Sequence, residues 1–144
     1  MAALDDLDEV LEQFHLAQGE FAKGNSEPCK RFFSHREDVT LNNPLSPPAR
    51  GWEQVDATTD RAAAPFRDGE FHSAEIIAKY VTAELAYVVE IERGVAKVGA
   101  SEESTPWALR ARMIFRPEDG AWKVVHRHAD PITTAQPAES VTQN

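Results

Sequence analysis

Cysteine is almost absent from this chain: Cys29 stands alone among 144 residues. An intrachain disulfide is therefore excluded, and a lone thiol suits a reducing compartment. Positive charge is short as well. Fifteen Lys and Arg stand against 24 Asp and Glu, for a net charge of −9. That balance lacks the basic footprint of nucleic-acid binding and disfavours an anionic membrane surface. No apolar run approaches the ~18 residues that cross a bilayer. The opening residues, Met1 to Asp6, have no basic segment followed by an apolar one, so no secretory leader is expected. Also missing are a Ser-His-Asp pattern, a glycine-rich phosphate loop and a cysteine metal site. The expectation is a cytoplasmic, soluble chain that uses no cofactor and contacts neither nucleic acid nor membrane.

What is present suffices for one core, with 42% hydrophobic residues in a length typical of one domain. Leu4, Leu7, Leu11, Phe14, Ala17 or Gln18, and Phe21 recur at three- and four-residue steps and predict an amphipathic helix over 4–23. Asp5, Asp6, Asp8 and Glu9 suit its N-terminal dipole, and Gly24-Asn25 suits its stop. Ser26 and Pro28 open a second, short helix running through Cys29 to Phe33. A short strand follows over 38–42, then a proline-rich loop over 42–51 and a third helix over 52–66. Beyond Phe71 the period becomes two. Strands are expected over 71–81, 85–93, 107–116 and 122–130, with a long connection over 94–106. The Pro-, Thr- and Gln-rich segment 133–144 reads as a flexible tail to a single domain over 1–132. Three helices followed by a four-stranded meander predict an α+β architecture, a curved antiparallel sheet wrapped around helices.

The closing strand, Trp122 to Asp130, is the most informative segment. Strict alternation puts Trp122, Val124, His126 and His128 on one face and Lys123, Val125, Arg127 and Ala129 on the other. Long polar side chains in an apolar closing strand are costly to bury without a partner or a ligand. This hairpin is the expected wall of a cavity.

The order and spacing of Glu20 to Asn25, Asp38 to Pro44, Arg50-Gly51-Trp52, Leu85 to Gly94, Met113 to Arg116 and Trp122 to Asp130 resemble the nuclear transport factor 2-like superfamily, in its SnoaL-like and ketosteroid isomerase-like branch. The resemblance covers about positions 4–132. It implies a cone-shaped roll, a small-molecule pocket, and a homodimer joined through the outer face of the sheet. Ketosteroid isomerases carry an aspartate base before a proline after the first strand, where this chain has Asn43. Their tyrosine donor and second acid match positions near Ala17 and Ala111. An amide takes up no proton at neutral pH, so steroid isomerisation by that mechanism is not expected. The closing hairpin also resembles the association domain of calcium/calmodulin-dependent kinases, which assembles and binds small acids.

On these grounds Arg127 is the first candidate. The resemblance turns it inward, to hold a carboxylate or an enolate oxygen or to pair with an internal acid. Asn43 is either a hydrogen-bonding group for a carbonyl or a turn residue before Pro44. Tyr87, taken to share the pocket face with Val89 and Ile91, offers a phenol for acid–base work or a satisfied core hydroxyl. Phe14, Ala17, Phe21, Phe33, Trp52, Phe66, Val89, Ala111, Met113 and Val125 complete the expected pocket lining and core. His126 and His128 form a His-x-His pair with metal-chelating spacing, with His72 or Glu90 as a third ligand; hydrogen-bonded packing on an outer face is the competing account. Glu90 and Glu92 are expected on a solvated or interface face, and His15 outside the core. Two functions follow: acid–base chemistry on an apolar carbonyl compound or aromatic acid by an isomerase, cyclase or lyase, or non-catalytic ligand binding and assembly.

Overall fold

The computed structural model describes residues 6–143. Helix α1, Leu7–Phe21, begins where the Asp6 carboxylate accepts the Asp8 amide at 2.8 Å, and buries Leu7, Leu11, Phe14 and Ala17 along one stripe. Leu4 and Asp5, placed in this helix above, lie outside the described residues. At Gly24 the backbone turns with φ +92°, and a Cβ there would meet the Phe66 carbonyl oxygen at 2.7 Å. Only glycine fits so close an approach. Helix α2 is a single turn, Glu27–Lys30. Strands β1, Thr40–Asn42, and β2, Ala49–Arg50, bracket the proline-rich loop, and α3 spans Trp52–Ala63. Four long strands follow: β3, Phe66–Val81; β4, Ala86–Val98; β5, Thr105–Glu118; and β6, Ala121–Asp130. Beyond β6 the chain is exposed, with one 3-10 turn at Ala138–Val141.

The sheet has six strands in the order β2-β1-β6-β5-β4-β3. The four expected strands do form an antiparallel meander. The short strand before the loop was expected as well, but β2 within the loop was not. Both join the far edge, where β1 runs parallel to β6 with Leu41 opposite Arg127. The expected connection over 94–106 is overturned. β4 continues through Val98, and β5 starts at Thr105. Small residues disguised this extension, because Gly94 and Ala96 are needed where the sheet bends over the core. A Cβ at Gly94 would meet the Glu70 carbonyl at 2.0 Å and the Trp107 indole at 2.5 Å. The β5–β6 hairpin closes through Asp119 and Gly120, both at positive φ (53° and 82°), the tight-turn geometry that suits the twist of paired strands.

The concave face and the helices enclose the core. Val88, Met113, Phe115 and Val124 from the sheet pack on Leu11, Phe14, Phe33, Val39 and Val55. The result is the expected cone: a bent, unclosed sheet around a few helices.

Candidate functional site

Two features of the strands decide which side chains enter the cone. The first is a break in register between β5 and β6. Ile114 faces His126 and Phe115 faces Val124, which leaves Val125 unpaired. This bulge resets the alternation. Val124, Arg127 and Ala129 therefore point inward together, while His126 and His128 point out. Val125 does not line the cavity, a correction to the simple two-residue period.

The second is the phase of β4. Ala86, Val88, Glu90 and Glu92 are buried, while Tyr87 is 43% exposed and Val89 and Ile91 lie on the same outer face. The expected phase is thus inverted. Charged residues were assigned to solvent, yet both glutamates are fully buried because each finds partners inside. Tyr87 instead stacks on Tyr80 across the sheet, with ring centroids 5.9 Å apart.

The partners come from α1 and β6. His15 Nε2 meets both Glu90 carboxyl oxygens, at 2.8 and 3.1 Å. Gln18 Nε2 donates to Glu92 at 2.9 Å. Arg127 donates to Glu92 through both terminal nitrogens, at 2.7 and 3.0 Å, and lies 5.4 Å from the centre of the Phe14 ring. In the ladder, Glu90 faces Ala111, which faces Ala129. Those two small side chains leave the room through which Arg127 reaches diagonally to Glu92. Between the two accounts of Arg127, the ion pair is the one observed. His15 is no solvent-facing residue either. It sits half-buried, stacked on Phe71 at 4.9 Å.

This cluster has a graded electrostatic character. Burial drives the Glu90 carboxyl up to about 7, with the hydrogen bond from His15 opposing and the adjacent Glu92 adding to the rise. Glu92 suffers still greater burial, but the Arg127 guanidinium holds it below the usual carboxylate range. The atoms of His15, Glu90 and Glu92 come within 4.8 Å of one another, the one such trio found among the described residues. Its oxygens already serve His15, Gln18 and Arg127, so a cation would have to displace a guanidinium. The other metal candidates are engaged on the outer face. His126 bonds to the Thr40 hydroxyl at 2.8 Å, and His128 to Arg112 at 3.0 Å and Asp130 at 3.3 Å. His72 is exposed and bonds to Glu70.

In front of the cluster lies a cavity of about 180 Å³. Phe14, Phe21, Phe33, Phe66, Trp107 and Leu109 line it, and Gln18, Asn43, Cys29, Thr59 and Arg127 bring polar side-chain atoms to the wall. Burial pushes the Cys29 thiol up to about 12, so it stays protonated. Asn43 does turn the chain, its Oδ1 accepting from the Leu45 amide at 2.8 Å and the Ser46 hydroxyl at 3.1 Å. Its side chain also borders the cavity. Ala17, Ala111 and Met113 are buried in the core and stand outside the lining. Trp52 stacks on His35 at 3.8 Å, away from the cavity. A second, open groove of about 580 Å³ runs between α1 and β3 past His15 and Phe71.

Sequence reasoning missed Gln18, Glu90, Glu92 and His15 as one unit. Local spacing puts His15 and Gln18 one helical turn apart and Glu90 and Glu92 in step with Val88, but only the pairing of Val88 with Met113 in the folded sheet shows that this phase points inward.

Comparison with known proteins supports the fold. The nuclear transport factor 2 superfamily protein from Salmonella enterica serovar Typhimurium superposes with a TM-score of 0.73 at 14% identity, over 91% of this chain and 92% of that one. A ketosteroid isomerase-like protein from Erwinia carotovora atroseptica gives 0.72 at 17% identity, over 88% and 94%. A candidate calcium/calmodulin-dependent protein kinase type II association domain from Thiobacillus denitrificans gives 0.69 at 18%, over 91% and 98%. No curated protein matches the chain. The SnoaL-like domain model matches residues 7–133. With that match spanning nearly all of the cone, the chain belongs to the SnoaL-like domain family.

Proposed function

We propose that the chain holds a small, largely apolar molecule in the cone, as a binding protein. The observation that carries this reading is the make-up of the cavity wall. Four phenylalanines and Trp107 surround a few polar atoms, the usual composition of a small-molecule site. Among the described lining residues there is no Asp, Glu, His, Tyr or Lys, and the two ionisable ones, Cys29 and Arg127, are respectively neutral and paired. Such a wall binds but has no group poised to move a proton. The test is a thermal-shift screen with ketones, amides, aromatic acids and apolar rings, followed by analysis of each hit for chemical conversion. Hits recovered unchanged are expected. Turnover of a hit would refute the non-catalytic reading, and a screen without hits would refute binding.

Acid–base chemistry of the isomerase or lyase kind is the second reading. Glu90, a buried carboxyl titrating near 7, favours it, since perturbed groups cluster at working sites. It stands behind Gln18 and Arg127 and outside the cavity lining, which is why binding is preferred.

The outer face supports a homodimer as the partner. Tyr80, Tyr87, Ile114 and His126 form one cross-strand row, and Tyr80, Tyr87 and Ile114 are 59%, 43% and 37% exposed. A contiguous apolar row of this kind is what a second copy covers.

A further inference from the structure

Two side-chain amides border the cavity, and each has one end fixed by chemistry. Gln18 meets the Glu92 carboxylate at 2.9 Å. A carboxylate accepts only, so the amide end turned to it is the NH2. Asn43 takes hydrogen bonds from the Leu45 backbone N–H and from the Ser46 hydroxyl. A backbone N–H donates only, so the end turned to it is the carbonyl. Neither amide can be flipped without breaking these bonds. The ends left over are Gln18 Oε1, an acceptor, and Asn43 Nδ2, a donor. Both are buried, and neither has a partner among the described residues. An unmet buried polar atom costs roughly 1–3 kcal/mol, and here two of opposite kind sit on side chains that line one cavity.

Charge narrows the occupant further. Arg127 is the single cation of the described lining, and its charge is already paired with Glu92 through a hydrogen bond from each terminal nitrogen. A carboxylate ligand would bring a third acid beside Glu90 and Glu92 with no free cation to meet it. An ammonium ligand would find no acid in the wall. We infer that the cavity selects a neutral molecule with an apolar or aromatic body that presents an acceptor to Asn43 and a donor to Gln18. Primary or secondary amides, lactams and hydroxy-ketones have that pairing. Anionic acids, attractive while Arg127 is viewed alone, are disfavoured. This inference rests on the binding reading above and specifies its ligand.

The test uses the whole chain, labelled with nitrogen-15, and follows the side-chain amide resonances of Gln18 and Asn43. The probes are benzamide (donor and acceptor), methyl benzoate (acceptor only), toluene (neither) and sodium benzoate (anion). Benzamide is expected to bind about fivefold or more tighter than methyl benzoate, the worth of one net hydrogen bond, and to shift both amide resonances. Benzoate is expected to bind weakest. Asn43→Asp keeps the carboxyl oxygen that serves Leu45 and Ser46 but replaces the donor with an acceptor. It is expected to weaken benzamide about tenfold while the Gln18 resonance of the unliganded protein stays in place, the sign that the fold is retained. Gln18→Met, which removes the acceptor, should erase the advantage of benzamide over methyl benzoate. Equal affinity for all probes, or preference for benzoate, overturns the inference and leaves the cavity reading intact. If no probe moves any cavity resonance, the cavity reading falls and takes the inference with it.

Discussion

Replacing Arg127 by Met is the sharpest test of the buried cluster. Glu92 is fully buried and Arg127 is 8% exposed. Methionine fills much of the aliphatic volume but leaves Glu92 with Gln18 as its remaining donor, next to Glu90. Removing one partner of a buried pair costs about 3–5 kcal/mol. For a domain of this size that lowers Tm by roughly 10 °C. The loss has a pH signature. Arg127 is what holds the Glu92 carboxyl low, so without it the folded-state value rises and the acid takes up a proton on folding. The penalty should then be lower at pH 5.5 than at pH 8, growing as pH rises. Replacing both residues, Arg127→Met with Glu92→Met, removes both charges together and should recover most of the loss, since an apolar pair of similar volume often matches a buried ion pair. Urea unfolding of the parent, both single variants and the double variant, at pH 5.5 and 8, measures all four corners of the cycle. A single-variant loss below about 1 kcal/mol would show that the pair contributes little, and a double-variant loss equal to the sum of the singles would show that the two do not act together.

Glu90 gives a second pH effect, of opposite sign to that of an ordinary paired acid. Its folded value, about 7, lies above its ordinary 4.5. Its stabilisation is therefore complete below 4.5 and lost as pH rises through 7, by about 3 kcal/mol at 1.36 kcal/mol per unit. Thermal unfolding at pH 5.5 and 8 should show the fall, and Glu90→Gln should flatten it. A slope unchanged in Glu90→Gln would place the effect elsewhere. Gly94→Ala should displace the Trp107 indole, which donates to the Val95 carbonyl at 3.1 Å, and cost about 2 kcal/mol or more; tryptophan fluorescence at an unshifted maximum would contradict this. Tyr87→Asp, on the outer face, should convert a dimer into a monomer on sedimentation while leaving the circular dichroism unchanged. An unaltered sedimentation profile would remove this face from any self-association.

The helices and the meander were legible because period and punctuation agreed. Leu7, Leu11 and Phe14 recur as a helix stripe must, and Asp119-Gly120 announces its turn. The face of β4 was illegible for a physical reason. Apolar residues occupy both phases of Tyr87-Val-Val-Glu-Ile-Glu92, so only charge remained to break the tie, and charge gave the wrong answer. Burial of Glu90 and Glu92 depends on His15, Gln18 and Arg127, which lie 35 to 75 residues away in sequence. Local pattern carries no information on such a distant partner. Val125 failed for a different cause. A bulge is one extra residue with no side-chain signature, and it reverses every assignment on one side of it. Arg127 was nevertheless placed inward, because the family resemblance counted position and not parity.

Strand β3 ends the sheet, with one side bonded to β4 and the other free of strand partners among the described residues. At sixteen residues it is the longest strand, and Ile76, Ile77, Tyr80 and Val81 are exposed along it. A straight edge of that composition would invite another chain to add a strand and start an aggregate. Its three breaks in register, at Arg67/Glu70, Phe71/Ser73 and Ile76/Ala78, bend the hydrogen-bonding groups out of line before any run is long enough to template a neighbour. The irregularities that curve the cone around its cavity thus also deny a neighbouring chain a straight edge to pair with.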